Sequence, residues 1–455
     1  MRKESAIADW ELPDGSEPCA CGSTHPVAID EIAVGPDAIE RLAAYAVAKS
    51  WRNALLVMDA NTEEAAGRRV ARELEQAGVG VAALCFPNRS GLAADENAVA
   101  AARARLRAES FGGIVAVGSG VLTDVTRYAA HLEQRDFISV PTAASMDGYA
   151  SSVAAMEFGG VKVTYPARAP LAIFVEPATL AAAPAELTRS GLGDLLGKAT
   201  ARVDWLASHL LYGEAFCAAV DARILGPLGY AVAHADAVLE GETAAVEALA
   251  RGLLESGIAM AMVGSSRPAS GCEHHASHFW DLLAARGIRD HAPHGLQVGY
   301  ATHFAMRLQR FAYAGGVPVL GRPRVSDPLD AAARQWLGEP SPEIVAAVEE
   351  KRRFIAVGEE SWPQSEARWA ALRAELGAAL EVFPAVEGAL ALAAIPAEPG
   401  YLEVDARTLR ATFHYASRLR ARYTVIDFLE GQGALDAALD QTLGAVTSGP
   451  ERGAG

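Results

Sequence analysis

The sequence predicts an α/β half built on a parallel sheet, followed by an all-helical half. Between residues 28 and 180, apolar runs of strand length alternate with amphipathic, alanine-rich stretches. From 181 to 455 such runs nearly vanish, and helix-forming residues with apolar positions three or four apart take over. With 455 residues, 51% of them apolar, the chain is long enough to bury a large core.

Five apolar runs are the candidate strands of the first half, and most of them end in Gly, Pro, Asp or Ser. They are NALLVMDA (53–60), GVGVAALCFP (78–87), GGIVAVGSG (112–120), DFISVPTAAS (136–145) and PLAIFVEP (170–177). Amphipathic stretches between them, at 63–78, 93–108 and 121–135, predict helices and hence βαβ units. The run 151–166 breaks this alternation, because Gly159-Gly160 between two β-branched segments predicts a hairpin.

Composition argues against several classes of protein. The net charge of −16 disfavours nucleic acid as the main partner, because phosphate contacts need clustered Lys and Arg. We expect no membrane span, since no apolar run is long enough. The start of the chain lacks the apolar region of a signal peptide, and the five cysteines are scattered. These features predict a cytoplasmic protein.

Residues 1–27 form a polar extension that contains PCACGSTHP. Cys19, Cys21 and His25 are types that bind metals, but the second ligand pair of a zinc knuckle is missing from the segment. We therefore favour a surface extension, and a metal site is the alternative.

A glycine-rich junction follows the third candidate strand. Gly118 and Gly120 would let the main chain approach a phosphate, and a helix beginning near Val121 would offer free N–H groups. The full dinucleotide motif of a Rossmann fold has glycine where this chain has Thr123. A phosphate site and a simple tight turn both remain open here.

The next junction carries hydroxyl groups and one carboxylate. Thr142, Ser145 and Ser151 flank Asp147, at the sheet edge where ligands of α/β proteins bind. Helix-capping and turn roles explain the hydroxyls equally well. Asp59 also ends a candidate strand, where it could bind ribose hydroxyls or form a turn.

A histidine cluster is the strongest metal signal. His274 and His278 are four residues apart on a predicted helix and share a face, whereas His275 points elsewhere. His294 opens the next predicted helix, close to Pro293. The His274/His278 pair could be the two ligands with Asp194 or His294 as the third, but either histidine could equally be a core residue.

Asp194 lies in the segment GLGDLLGK, which we expect to be a glycine-rich turn that enters a helix. Lys198 follows four residues later, so the pair could be a helix-surface ion pair. The apolar neighbours of Asp194 instead favour burial, and a buried carboxylate needs a cation. One Asp and two His would leave coordination positions open, as in catalytic metal sites.

Taken together, five motifs resemble the glycerol-1-phosphate dehydrogenases, most closely the bacterial branch of that family. They are GSGVLTDVTRYAA (118–130), SVPTAASMDGYASS (139–152), GLGDLLGK (191–198), SRPASGCEHHASH (266–278) and HGLQVGYAT (294–302). The resemblance covers about residues 40–300, with a further match near 420. It implies the iron-alcohol-dehydrogenase and dehydroquinate-synthase-like fold, with a Rossmann-like NAD(P)-binding domain at 28–180 and a helical metal- and substrate-binding domain at 181–455.

The resemblance also implies an activity: reversible reduction of dihydroxyacetone phosphate to sn-glycerol 1-phosphate by NADH or NADPH. It implies one divalent metal per chain, zinc or nickel, held by Asp194, His274 and His294, and a homodimer. Asp147 and His278 would contact the substrate together with Asp194, and either could belong to a proton relay. The metal would act as a Lewis acid on the substrate carbonyl.

The cofactor contacts that the resemblance implies lie in two loops, one after the third candidate strand and one after the fourth. They are Gly118, Gly120, Val121, Leu122, Thr123, Asp124, Thr142, Ala143, Ala144, Ser145 and Ser151.

Several residues leave alternatives within this family. Cys272 would favour softer ions if it reached the metal, and His291 is an alternative third ligand. Lys162 and Lys198 are candidates for the substrate phosphate, although surface positions suit both.

Three other functions are weighed against the main one. A glycerol or polyol dehydrogenase would keep the chemistry without the phosphate. A carbocyclic synthase of the dehydroquinate type would be expected to have Glu at the place of Asp194 and more basic residues around it. A non-catalytic nucleotide-binding relic ranks last, because all three ligand-capable residues are present.

Overall fold

The structure, a computed structural model, describes residues 12–87, 92–158, 161–314, 329–357, 362–363 and 365–444, and only the main chain of 161–163. Its elements follow the predicted order. All strands of the described part lie before residue 177, and all regular elements after it are helical. The predicted fold class, an α/β half followed by a helical half, is confirmed.

The strands form one parallel sheet and one hairpin. They are β1 (Glu31–Val34), β2 (Asn53–Asp59), β3 (Gly80–Phe86), β4 (Gly113–Val117), β5 (Ile138–Val140), β6 (Val153–Phe158), β7 (Val161–Pro166) and β8 (Ala172–Val175). The sheet has the order β1-β8-β5-β4-β2-β3, and neighbouring strands within it are parallel. All five predicted strands are therefore present.

The sequence analysis missed one strand and predicted the hairpin. β1 has only four residues, too few to give a recognisable apolar run in the sequence. It pairs with β8 at the sheet edge. β6 and β7 are antiparallel, as the hairpin prediction required. Gly159 and Gly160, on which that prediction rested, lie outside the described residues.

Alternation along the strands supplies a core on each face of the sheet. In β2, Leu56 and Met58 join the apolar cluster under the helices 38–48 and 68–76, whereas Leu55 and Val57 face the helices 96–108 and 120–132. Both faces are thus covered by helices, which is why the strands read as continuous apolar runs.

The described part also contains nineteen α-helices, besides short 3-10 and π-helical segments. They are α1 (Ala38–Ala48), α2 (Ala60–Thr62), α3 (Arg68–Gln76), α4 (Glu96–Ala108), α5 (Gly120–Leu132), α6 (Pro177–Ala181), α7 (Ala185–Tyr212), α8 (Ala218–Ala233), α9 (Ala235–Leu239), α10 (Thr243–Val263), α11 (Cys272–Ala285), α12 (His294–Gln309), α13 (Ala331–Leu337), α14 (Pro342–Val357), α15 (Glu366–Ala379), α16 (Phe383–Leu392), α17 (Ala406–Tyr415), α18 (Val425–Gly431) and α19 (Leu435–Leu443). None of them is both long and apolar enough to cross a bilayer.

The chain folds into two compact units made of interleaved stretches. The sheet unit comprises Met1–Leu196, Cys217–Ala269 and Pro293–Leu296, and the helical unit comprises the remaining stretches. The sheet unit therefore includes α8, α9 and α10 in addition to the sheet and its covering helices. Helices α7 and α12 begin in the sheet unit and continue into the helical unit.

Candidate active site

Two strand-end loops lie side by side at the carboxyl edge of the sheet. β4 and β5 are neighbours, and the main-chain N–H of Gly118 donates to the carbonyl oxygen of Val140 (3.0 Å). Helix α5 begins at Gly120, one residue before the predicted start. The first turn of α5 therefore presents its unpaired N–H groups at this edge, where an anion is favoured.

The side chains of the α5 turn differ in what they can offer a ligand. Leu122 and Thr123 are buried, whereas Val121 is 36% exposed. Asp124 accepts from Nη1 of the buried Arg127 (2.7 Å), and Arg127 also donates to the carbonyl oxygens of Gly148 and nearby residues. A ligand at this turn would therefore meet mainly main-chain groups.

The loop after β5 packs tightly against α7. The hydroxyl of Ser190 donates to the carbonyl oxygen of Ser145 (3.1 Å). A Cβ atom on Gly191 would lie only 1.9 Å from the carbonyl oxygen of Ala144, so no larger residue fits while this contact holds. Thr142, Ala143 and their neighbours in the loop are buried as a consequence.

Tyr149 closes the same loop from within. Its hydroxyl donates to the carbonyl oxygen of Ala143 (2.6 Å) and lies 3.3 Å from the hydroxyl of Ser145. Burial raises the pKa of Tyr149 far above its usual value, so the phenol stays neutral and keeps its proton for that hydrogen bond. Ser151, at the end of the loop, is also buried and accepts from the N–H of Val153 (3.1 Å).

Asp194 is placed differently from the prediction. It lies in the middle of α7, and the expected glycine-rich turn before it is wrong. The glycine at 191 serves the close approach to the loop rather than a turn. The expectation that Asp194 is buried is met, because the residue has no exposed surface.

Asp147 and Ser256 form a chain of hydrogen bonds that begins at the Asp194 carboxylate. The main-chain N–H of Asp147 donates to Oδ2 of Asp194 (3.0 Å). The Asp147 side chain in turn accepts from the Ser256 hydroxyl on α10 (2.9 Å at Oδ2). All three residues belong to the sheet unit and are buried.

His294 opens α12, as predicted, and lies near Asp194. A carboxylate oxygen of Asp194 and a ring nitrogen of His294 are within 4.8 Å of each other. The next residue fixes this position: the N–H of Gly295 donates to the Ser190 hydroxyl (3.1 Å), and a Cβ on Gly295 would lie 1.8 Å from the Ser190 carbonyl oxygen. Two predicted metal ligands are thus brought together within the sheet unit.

His274 belongs to the helical unit, where a buried carboxylate orients its ring. Nδ1 of His274 lies 2.8 Å from Oε1 of Glu273. Burial on its own would raise the pKa of Glu273, but the hydrogen bond and charge of His274 and the N–H of Gly271 lower it below its usual value. An ionised Glu273 favours a proton on Nδ1, so Nε2 of His274 is the ring nitrogen whose lone pair can bind a metal.

Behind Glu273 lies a buried polar network of the helical unit. The hydroxyl of Thr200 donates to Oε2 of Glu273 (2.8 Å). Asp204 accepts from the N–H groups of Cys272 (2.8 Å) and Val425 and from the side chain of Gln309. Burial raises the pKa of Asp204 to about 7, and the charge of Glu273 adds to this.

The other histidines of the motif have separate environments. His278 is half-buried on α11, with Nδ1 4.0 Å from Oδ2 of Asp281. His275 has no exposed surface, and His291 is exposed. Among the described residues His291 belongs to no cluster of metal-binding groups, so the structure gives no support to His291 as a ligand.

Three further candidates from the sequence are placed as follows. Cys272 is buried, and burial together with Asp204 raises the pKa of its thiol well above the usual value, so it remains a neutral thiol. Lys198 is fully buried in α7, contrary to a surface position, and the Lys162 side chain lies outside the described residues. Asp59 caps α2, accepting from the N–H groups at 61 and 62 (2.9 and 2.8 Å).

The sequence analysis did not identify two residues that contact candidate site residues. Glu273 stands directly before His274, and a carboxylate beside a candidate ligand histidine was the available signal. Ser256 lies in an alanine-rich helix with no local signal, and only the fold brings it to Asp147.

Comparison with known proteins defines the class. The model of the family "Iron-containing alcohol dehydrogenase" matches residues 33–184. The solved 1,3-propanediol oxidoreductase has a TM-score of 0.60 at 16% identity, over 91% of this chain and 98% of that one. The iron-containing alcohol dehydrogenase of Thermotoga maritima has a TM-score of 0.57 at 14% identity, over 92% and 99%. The fold is therefore that of the iron-containing alcohol dehydrogenases.

Curated relatives narrow this class to one family. The glycerol-1-phosphate dehydrogenase (NAD(P)+) of Halalkalibacterium halodurans is 37% identical over 287 residues, covering 62% of this chain and 72% of the relative. The enzyme of that name from Geobacillus stearothermophilus is 30% identical over 416 residues, covering 90% and 95%. The chain belongs to the glycerol-1-phosphate dehydrogenase family of oxidoreductases, as its motifs predicted.

Proposed function

We propose that this chain interconverts dihydroxyacetone phosphate and sn-glycerol 1-phosphate with NAD(P)H. The similarity to the Geobacillus stearothermophilus enzyme, which extends over 95% of that relative, supports the reaction. One observation in the structure supports the proposal most directly. A carboxylate oxygen of Asp194 and a ring nitrogen of His294 lie within 4.8 Å of each other, and Asp194 also bonds to the loop after β5 through the N–H of Asp147.

Asp194, His274 and His294 are the proposed ligands of one divalent metal, zinc or nickel. One carboxylate and two imidazoles fit such an ion and leave coordination positions for substrate oxygens. The residues around them fit this role, since Asp147 fixes Asp194 and Glu273 fixes the ring of His274. A metal bound there supplies a Lewis acid that polarises the substrate carbonyl.

Asp147 and His278 are the proposed substrate contacts. The Asp147 side chain, which accepts from the Ser256 hydroxyl at Oδ2, is assigned to a substrate hydroxyl. The His278 ring, 4.0 Å from the Asp281 carboxylate, is assigned to the proton that the product oxygen takes up on reduction.

The cofactor is assigned to the sheet edge, with 28–180 as the nucleotide-binding domain and 181–455 as the metal- and substrate-binding domain. Gly118, Gly120 and the turn Val121–Asp124 would bind the pyrophosphate through main-chain N–H groups. Thr142–Ser145 and Ser151 would hold the nicotinamide half. NAD(P)H bound there supplies the hydride. A homodimer is carried over from the resemblance.

The test is NADH and NADPH oxidation with dihydroxyacetone phosphate, using protein of measured metal content, with and without a chelator. We expect chelator-sensitive turnover whose product is sn-glycerol 1-phosphate by chiral analysis. Dihydroxyacetone without phosphate is the matched substrate control. Turnover of this control alone would assign the chain to polyol oxidation, and no turnover of either ketone by metal-replete protein would reject the proposed reaction.

A further inference from the structure

Four metal-binding side chains meet in the sheet unit, and none of them is among the residues assigned to the reaction. Cys19, Cys21 and His25 come from the N-terminal extension, and Cys217 comes from the residue before α8. One ligand atom of each lies within 4.8 Å of the corresponding atoms of the other three. The sequence alone lacked a fourth ligand, because Cys217 is almost two hundred residues away in the chain.

Two distances between the ligand atoms fit a tetrahedral zinc site. Zn–S bonds of about 2.3 Å and Zn–N bonds of about 2.0 Å place two sulfurs about 3.8 Å apart and a sulfur and a nitrogen about 3.5 Å apart. Here the sulfurs of Cys19 and Cys217 are 3.6 Å apart, and Sγ of Cys21 is 3.2 Å from Nε2 of His25. A disulfide would need the sulfurs at about 2.05 Å, and all these cysteines are free.

The tautomer of His25 is set for a metal. Its Nδ1 lies 2.8 Å from the carbonyl oxygen of Met262 at the end of α10. A carbonyl oxygen can only accept, so Nδ1 carries the proton and Nε2 keeps its lone pair toward the sulfurs. His25 is only 9% exposed, which holds the ring in this orientation.

Main-chain N–H groups point at the sulfurs, as a thiolate cluster requires. The N–H of Cys21 lowers the pKa of the Cys19 thiol, and the N–H of Ser23 lowers that of Cys21. Gly22, with φ of +85°, turns the chain so that its N–H reaches the Cys19 carbonyl oxygen (2.9 Å). This left-handed position favours glycine, as the segment CACG provides.

Cys217 is the buried member of the set. Burial raises the pKa of its thiol to about 11, although the N–H groups of Val220 and Ala219 point toward the sulfur. A bound metal would replace the proton of this thiol. Those two N–H groups then stabilise the thiolate.

We propose that Cys19, Cys21, His25 and Cys217 bind one zinc ion as a closed, structural site. Four protein ligands complete a tetrahedral shell and leave no position for substrate, which distinguishes the site from the open Asp/His/His set. On binding, three thiols release three protons to solvent, and three sulfur–zinc bonds and one nitrogen–zinc bond form. The site fastens the extension to the ends of α8 and α10.

The test is the zinc content per chain of protein purified without chelator or added metal. We compare Cys21→Ala with Cys85→Ser, a control whose sulfur lies near Glu63 and outside the set. Both variants are also made in an Asp194→Asn background, where the proposed catalytic metal is removed. We expect Cys21→Ala to lose one zinc per chain in either background and Cys85→Ser to lose none. Because Cys21 is exposed, its truncation leaves the core intact.

A second measurement does not depend on any variant. Wild-type protein reconstituted with Co²⁺ should show thiolate-to-cobalt charge-transfer absorption and the strong visible bands of tetrahedral cobalt. Equal zinc in Cys21→Ala and Cys85→Ser, or cobalt spectra without thiolate absorption, would overturn the proposal. So would two fewer free thiols than the expected five in unfolded, unreduced protein, because that loss would identify a disulfide.

Discussion

The main-chain N–H of Asp147 donates a hydrogen bond to Oδ2 of Asp194 over 3.0 Å. The same residue accepts from Ser256 through its side chain, so Asp147 links the loop after β5 to both α7 and α10. A proposed metal ligand and a proposed cofactor loop are therefore parts of one packed assembly. Changes in the loop should alter both metal and cofactor binding.

Asp194→Asn should abolish binding of the metal proposed at Asp194 and lower the activity at least a hundredfold. The sheet unit should stay folded. The amide keeps the size of the side chain and an oxygen for the Asp147 N–H, but it lacks the negative charge that a divalent ion needs. Metal analysis and circular dichroism check this result. Asp59→Asn, at the cap of α2, is the control with the same chemical change. Full metal occupancy of Asp194→Asn would refute the assignment.

Glu273→Gln should weaken metal binding about 10- to 100-fold, since outer-shell partners of ligand histidines typically contribute this much. The amide can present either its oxygen or its NH2 group to Nδ1 of His274, so the tautomer is no longer fixed. Competition with a chromogenic chelator measures the change. Glu255→Gln, which breaks an ion pair with Arg223, is the comparison. Equal metal affinities in the two variants would contradict the orienting role.

Gly191→Ala should destabilise the protein by about 1–3 kcal/mol and raise the KM for NAD(P)H, because the new methyl group collides with the Ala144 carbonyl. Gly229→Ala, in open space on α8, should instead stabilise by about 0.5–1 kcal/mol. Thermal unfolding and cofactor titration of both variants test the difference. A Gly191→Ala protein with unchanged stability and KM would show that the loop does not depend on this contact.

Because of Asp204, the free energy of unfolding should fall as pH rises from about 4 to about 7. Its folded pKa, about 7, lies above the ordinary 3.8, so in this window the folded chain holds a proton that the unfolded chain has released. Unfolding is then favoured by up to about 1.4 kcal/mol per pH unit, and the effect levels off above pH 7. Asp204→Asn should be less stable throughout, because it loses acceptor capacity, but it should lack this slope. Denaturant unfolding at pH 5, 6 and 7 compares them; identical slopes would contradict the shifted pKa.

Periodicity predicted the sheet well because its strands are buried on both faces and read as apolar runs. β1 was not predicted because its four residues at the sheet edge are too few to show a hydrophobic periodicity. The sequence predicts a turn at the glycines before Asp194, since sequence cannot distinguish a glycine needed for a turn from one needed for close packing. Gly191 is of the second kind, and its partner Ala144 is distant in the chain.

The candidate site was predictable where its residues cluster in short motifs. His274 and the loop 142–145 are local signals, and the motif resemblance connected them. Ser256 and Cys217 have no local signal, because each acquires its role from residues more than a hundred positions away. The pKa of Asp204 was equally unpredictable, because it is raised by burial and the burial depends on the complete fold.

The choice between the two enantiomers of glycerol phosphate tests the proposed reaction. The metal-replete enzyme is assayed for NAD(P)+ reduction with sn-glycerol 1-phosphate, sn-glycerol 3-phosphate and glycerol at equal concentrations. We expect turnover of sn-glycerol 1-phosphate that falls at least a hundredfold in Asp194→Asn, and oxidation of the other two substrates at least a hundredfold more slowly. Equal or faster oxidation of glycerol or of sn-glycerol 3-phosphate would contradict the proposed reaction.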